Sequence, residues 1–311
     1  MRDVNNISNY FFSIYKVKLA TNNYTEKIYF SKGVIQGDSC SPLGWSLYIA
    51  NLAKALQRTE VGIKLGKVIV SSLLFADDVG LISRTARKGI NHLFNVVNSY
   101  NKAYDMNLSM KKTYIITSSK TINSWKVGPT GETITELLTA KYLGIDISLN
   151  NKFITRNRED SVIREARAKA QTIQGLTRSG LDRSKLTKEL WEKCAVPAIL
   201  YCSEVLIFSK RSIQKLETIQ NQVGKFMLQI PSSSANIMVW TDAGMIPMYG
   251  RIMIRQACYY WKLNNSQHDS ILNQCFQEEK SDPTDPWTNH IKSIIEQYER
   301  RCRYNTNYFT K

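Results

Sequence analysis

Two adjacent carboxylates, Asp77 and Asp78, stand between apolar and β-prone runs in Leu73-Leu74-Phe75-Ala76-Asp77-Asp78-Val79-Gly80-Leu81-Ile82. Paired carboxylates can ligate a hard divalent cation through oxygen. They are also ordinary turn formers, because Asp accepts turn dihedrals and caps local N–H groups. Charges beside so much hydrophobic surface are costly unless they are solvated or neutralised. The elements that must hold them follow from the flanks. Val68 to Phe75 leads in, Val79 to Ile82 leads out, and Ala-Asp-Asp is the only strong turn chemistry between. The spacing predicts a β-hairpin with the acidic pair at its tip and a buried face on each strand.

A second candidate precedes it. Gly33-Val34-Ile35-Gln36-Gly37-Asp38-Ser39-Cys40-Ser41-Pro42 is rich in small residues and runs into helical spacing from Leu43 to Leu52, with Ser41 placed as N-cap and Pro42 in the first turn. Such a loop is an ordinary start to a helix. Its glycines also let backbone approach a ligand, and a helix N-terminus attracts phosphate. Downstream, the stretch from Arg84 to Lys126 is overwhelmingly basic, with Asp105 its one acid. That makes either a solvated face or a phosphate-binding face, and the acidic tip nearby favours the second.

The whole composition points the same way. Among 311 residues there are 42 Lys+Arg against 26 Asp+Glu, a formal charge of +16 that favours a polyanionic partner, nucleic acid first. The 43% hydrophobic content is enough for one large or two ordinary domains. Six scattered cysteines without a Cys-x-x-Cys pair, and three dispersed histidines, show no zinc module and suit a reducing compartment. A polar N-terminus and the lack of any apolar run near ~18 residues exclude a secretory signal and a membrane span from this reading. An intracellular place is expected, in the nucleus or in a cytoplasmic ribonucleoprotein.

Residues 7–19 carry helical spacing, Lys27 to Phe30 reads as a strand, Ile90 to Tyr104 as an amphipathic helix, and Tyr114 to Thr117 and Lys141 to Ile147 as strands. Composition changes at Asn150-Asn151, where a domain boundary is expected. Helices are then expected from Val162 to a stop near Gly175 and Gly180, from Leu186 to Phe208 with a break or kink at Pro197, from Ile213 to Ile230 and from Ile252 to Leu263. Ser281 to Pro286 reads as a linker before at most one more helix.

Four stretches, in this order, resemble reverse transcriptases of non-LTR (LINE-type) retrotransposons. Gly33-Val34-Ile35-Gln36-Gly37 with Ser41-Pro42-Leu43 is similar to that family's template- and nucleotide-contacting motif. Phe75-Ala76-Asp77-Asp78 is similar to its catalytic hairpin. Met106 to Thr113 resembles the motif that ends in Lys and Ser/Thr, with Lys112 on the lysine; Ser109 stands where Asn is usual. Lys141-Tyr142-Leu143-Gly144 is similar to the primer-grip hairpin. The helical remainder resembles the family's thumb through Ser179-Gly180-Leu181, Leu190-Trp191 and Pro197 to Tyr201.

The resemblance implies an α+β fold: a partial palm of antiparallel sheet with packed helices over 1–150, a helical thumb and connection over 151–265, and a linker with a helical tail over 266–311. It implies RNA-directed DNA synthesis, with Mg²⁺ or Mn²⁺ held at Asp77 and Asp78 and Lys112 near the triphosphate. Gln36, Gly37, Ser41, Pro42, Phe75 and Ala76 would contact template and nucleotide, and Tyr142, Leu143 and Gly144 the primer. The partners implied are an RNA template, a DNA primer or RNA–DNA hybrid, and dNTP. The family carries a further catalytic Asp on a strand upstream of the first of these motifs. Asp3 has no such context, so the chain is expected to be an N-terminally truncated palm and thumb, inactive alone. The alternative is a non-catalytic remnant that binds RNA or RNA–DNA hybrid.

Overall fold

The computed structural model describes residues 16–21, 24–29, 34, 37–117, 124–128, 131–149, 151–178, 182–267 and 270–306. In chain order these form β1 (Lys16–Thr21), β2 (Tyr24–Tyr29), α1 (Ser41–Gln57), β3 (Ile63–Leu65), β4 (Val68–Val70), β5 (Ser72–Phe75), β6 (Asp78–Leu81) and α2 (Ala86–Ala103). Strands β7 (Tyr114–Ile116), β8 (Ser124–Val127), β9 (Glu132–Leu137), β10 (Ala140–Tyr142) and β11 (Ile145–Ile147) follow. Helices complete the chain: α3 (Asn151–Thr177), α4 (Arg183–Leu190), α5 (Val196–Ile199), α6 (Lys210–Leu228), α7 (Ile237–Thr241), α8 (Met248–Asn264), α9 (Ile271–Ser281) and α10 (Pro286–Thr306). The expected α+β class, with small sheets first and helices after, is what forms.

The chain divides into two compact units, one of Met1–Leu65, Ile69–Thr113 and Trp125–Ile134, the other of Gly66–Val68, Tyr114–Ser124 and Thr135–Lys311. In the first, α1 packs on α2 because each presents a helical apolar stripe, Leu52 and Leu56 against Leu93, Val97 and Tyr100. Three tyrosines bind these helices through polar contacts as well. Tyr48 donates to the Tyr104 carbonyl at 2.9 Å, Tyr100 donates to the Tyr48 carbonyl, and Tyr100 stacks on Tyr104 with centroids 4.2 Å apart. Burial, and then the neighbouring Tyr104, push the Tyr100 hydroxyl far above its ordinary range. Tyr48 and Tyr100 stay neutral donors. Arg87, part of the basic stretch, lies over the Trp125 ring at 5.4 Å, so this cation is partly structural.

Residues 16–19 are strand, not helix: β1 pairs antiparallel with β2 from Lys16↔Tyr29 to Thr21↔Tyr24. Val17 and Leu19 satisfy a period of two as well as one of 3.6, and pairing decides between them. Residues 7–15 lie outside the described part.

The second unit is built on a helical core in which Val162, Trp191, Leu216, Val223, Val239, Met245 and Met248 are all but fully buried. Trp191 is 0% exposed, and its Nε1–H donates to Gln220 Oε1 at 3.3 Å. Asp182, Ser209 and Ser270 cap α4, α6 and α9 by accepting the N–H of Lys185, Ser212 and Asn273. The expected break at Pro197 has a definite form. Residues Trp191–Ala195 widen into a π-turn, with the Val196 N–H bonded to Trp191 O, and α5 then ends at Ile199, so residues 200–208, expected as the rest of this helix, are turn and irregular chain. Proline lacks the N–H that the next helical bond needs, and its ring crowds the preceding turn, so the ladder loosens just before it.

Helix α3 ends at Thr177, in the stretch from Gly175 to Gly180 where a stop is expected. Ile271–Ser281, for which the sequence offered no element of its own, is helix α9. The expected linker is the short α9–α10 turn, where Asp285 accepts the Thr288 N–H at 2.6 Å. Strand β7 also pairs parallel with the end of β9, Tyr114↔Thr135 to Ile116↔Leu137, so the strands are not purely antiparallel. No described helix is long and apolar enough to cross a membrane.

Candidate active site

The acidic pair sits where local chemistry places it. β5 and β6 pair antiparallel from Ser72↔Leu81 to Phe75↔Asp78, leaving Ala76-Asp77 as a two-residue turn. The ladder continues one step further, with the Ile82 N–H donating to Ser71 O at 2.8 Å. Buried Ser71 in turn donates through Oγ to the Leu56 carbonyl at 2.9 Å, anchoring the hairpin base to the end of α1. The expected buried faces are only half-buried: Leu74, Val79, Gly80 and Leu81 are partly covered, while Leu73 and Phe75 are exposed, Phe75 at 60%. Asp77 and Asp78 are both exposed, so their charges are solvated and no desolvation cost arises.

The tip carries one backbone departure. Ala76 has φ 49°, and Asp77 is not among the positive-φ residues, the sign pattern of a type II′ turn, which suits the strand twist but favours Gly at its first position. Trp45, in the first turns of α1, donates its Nε1–H to the Ala76 carbonyl at 2.5 Å. Nothing in sequence marks this contact, which spans 31 residues.

The other expected site residues of this unit stand at the start of α1 and on a 3-10 turn. The N-cap of α1 is Cys40, one residue before the expected Ser41, and it makes no side-chain cap bond; Pro42 falls within the first two helical positions. Gly37 has φ 89° with nothing within 4 Å of a notional Cβ, so within this chain glycine is required there by dihedral and not by room. Gln36 lies outside the described residues. Lys112 closes a 3-10 turn, Met110–Lys112, that Thr113 supports by donating Oγ1 to Ser109 O at 3.0 Å, and its side chain is exposed.

In the second unit, β10 and β11 pair from Ala140↔Ile147 to Tyr142↔Ile145, making Leu143-Gly144 a two-residue turn. Both turn residues have positive φ, 49° and 78°, the signs of type I′. Tyr201, following α5, donates its hydroxyl to the Leu143 carbonyl at 2.7 Å. The Tyr114 hydroxyl donates to the Lys141 carbonyl beside it.

A metal fits the tip in a limited way. Among the described residues no group of three or more His, Cys, Asp or Glu could hold an ion. Asp77 and Asp78 are therefore a two-carboxylate set, which suits Mg²⁺ or Mn²⁺, since these ions keep waters and take further oxygens from bound phosphates.

The half-exposed hairpin packs beside α1 and α2 and presents its paired carboxylates to solvent. Residues 3–147 match the family described as "Reverse transcriptase (RNA-dependent DNA polymerase)", a little under half of the chain. That stretch holds the hairpin, the α1 loop, Lys112 and the β10–β11 turn, so these parts of the chain are similar to a reverse-transcriptase domain. The helices from α3 onward lie beyond the match.

Proposed function

We propose that this chain is the palm and thumb of a non-LTR retrotransposon reverse transcriptase. The observation that carries the proposal is the exposed Asp77–Asp78 tip inside the stretch that matches the family. Asp77 and Asp78 would hold Mg²⁺ or Mn²⁺; a bound divalent ion supplies Lewis-acid stabilisation of phosphoryl oxygens. Lys112, on an exposed turn, stabilises the triphosphate or donates the proton that leaving pyrophosphate takes up. Gln36, Gly37, Ser41, Pro42, Phe75 and Ala76 form the template and nucleotide contact, and the Tyr142-Leu143-Gly144 hairpin holds the primer end.

In-line transfer needs oxygen ligands on both sides of a metal pair, and the tip offers one side. Residues 1–311 therefore bind substrate but do not extend a primer by themselves. The test is primer extension on an RNA template with the fingers and first palm strand of a related element supplied in trans. Extension should appear, vanish in Asp77→Asn and Asp78→Asn, and fall less in Lys112→Ala. Robust synthesis by residues 1–311 alone would refute the incomplete-site reading. The +16 charge favours a second reading, in which the chain only grips RNA or hybrid duplex; binding without any rescued extension would select it.

A further inference from the structure

The two hairpin turns of the proposed site share a construction. Each has a non-glycine residue in the left-handed region at its first position, Ala76 and Leu143. Each has an aromatic side chain from a distant element donating to that residue's carbonyl, Trp45 to Ala76 and Tyr201 to Leu143. The shared acceptor is significant. In a two-residue turn the first residue's carbonyl belongs to the central peptide, and flipping that peptide interconverts type I′ and type II′. The flip leaves the strands paired but reverses the sign of φ at the second turn residue. At the acidic tip that residue is Asp77.

The sequence does not select these turns unaided. Type II′ favours Gly at its first position and type I′ favours Asn or Gly, whereas Ala and Leu carry a Cβ that crowds the following carbonyl in the left-handed region. Both donors are themselves held. Tyr48, one turn along α1 from Trp45, has its ring 6.0 Å from the indole and donates to Tyr104 O. Tyr201 follows the end of α5, where Arg158 of α3 donates to Tyr201 O at 3.0 Å and Arg255 of α8 to Leu200 O at 2.9 Å.

We propose that Trp45 and Tyr201 are positioning residues that lock the central peptides of the two turns. Trp45 fixes the φ of Asp77 and hence the presentation of the carboxylate pair, and Tyr201 fixes Leu143-Gly144. The proposal deepens the reading of Asp77 as a metal ligand, yet its conformational content is measurable without metal.

The experiment uses isotope-labelled residues 1–311 with Trp45→Phe and Tyr201→Phe, which keep a ring and remove the donor. Coupling constants and ¹³C shifts at Asp77 in the first variant, and at Gly144 in the second, should move from one turn type to an average of two. Amide exchange over residues 73–80 should rise roughly tenfold in Trp45→Phe, the scale of one lost hydrogen bond. Exchange at Leu52 and Leu93 should not change. Adding Ala76→Gly to Trp45→Phe, or Leu143→Asn to Tyr201→Phe, should restore the wild-type turn, because the new residue prefers it intrinsically. Mn²⁺ broadening at residues 75–80 should weaken in Trp45→Phe and return with Ala76→Gly. Unchanged turn shifts, failure of the second substitution to restore them, or equal loosening of the α1–α2 core would overturn the proposal. Restored turns without Mn²⁺ broadening even in the wild type would sink the metal reading and leave the locks standing.

Discussion

Asp77 and Asp78 ask different things of their neighbours. Asp77 occupies a turn position, while Asp78 begins β6 and pairs with Phe75. Both are exposed, so exchanging either carboxylate for an amide leaves no buried group unpaired. Asn also accepts turn dihedrals. Asp77→Asn should accordingly keep stability within roughly 0.5 kcal/mol of wild type while abolishing Mn²⁺-induced broadening at residues 75–80. Denaturant midpoints and paramagnetic titration measure the two halves separately. Equal broadening in variant and wild type would remove Asp77 from the ligand set. Trp45 and Tyr201 were not legible as partners of these turns, because hydrogen bonds across 31 and 58 residues leave no periodicity behind.

At the scale of elements, α6 and α7 meet through Gly224, whose notional Cβ would overlap a methyl of buried Val239. Two effects of Gly224→Ala oppose each other. Alanine in a helix interior gains about 0.5–1 kcal/mol over glycine, but overpacking a tight core costs typically 1–3 kcal/mol. Val239 is short and β-branched, so it cannot swing aside, and the clash should win by about 1 kcal/mol. Adding Val239→Ala should recover part of that loss in a double-mutant cycle, and strict additivity of the two changes would argue against the contact. The α6 stripe itself was readable, since Leu216, Ile219 and Val223 repeat at helical spacing. Helix α9 was not, because Ile271–Ser281 buries only Phe276 and Asn273 and shows little apolar rhythm.

Across the whole molecule, charge and titration make two predictions. Binding to RNA or hybrid duplex should weaken steeply with salt, with a log–log slope of roughly 0.7–0.9 per phosphate neutralised. Not every cation contributes: Arg158 donates to Tyr201 O, Arg183 lies 3.7 Å from the Phe226 ring centroid, and Arg251 pairs with Glu192 at 2.6 Å. A flat salt series would exclude nucleic acid as the partner. His290 of α10 lines a small cavity with Phe208, Ile213 and Ile252, and burial lowers its pKa from the ordinary 6.5. Its neutral form is the native one, so its contribution is full above the unfolded value and is lost as pH falls through 6.5 toward the depressed value. Stability should fall as pH drops from about 7 to 5, and His290→Gln should flatten that dependence in pH-resolved denaturant melts.

The local features of this protein were determined by sequence alone. The acidic hairpin, the helix after Ser41-Pro42, the Pro197 break and the stripes of α2, α6 and α8 each rest on neighbours within a few residues, where period and turn chemistry act directly. Tertiary structure decided the rest. It made strand of residues 16–19, which satisfied two periods at once, and set β7 parallel to the end of β9. It also selected the turn types at Ala76-Asp77 and Leu143-Gly144, where neither Ala nor Leu favours the observed backbone. Strand β1 is decided by its neighbour β2, whereas for β7 and the two turns the deciding contact comes from residues far along the chain, and only the folded chain brings those partners within hydrogen-bonding reach.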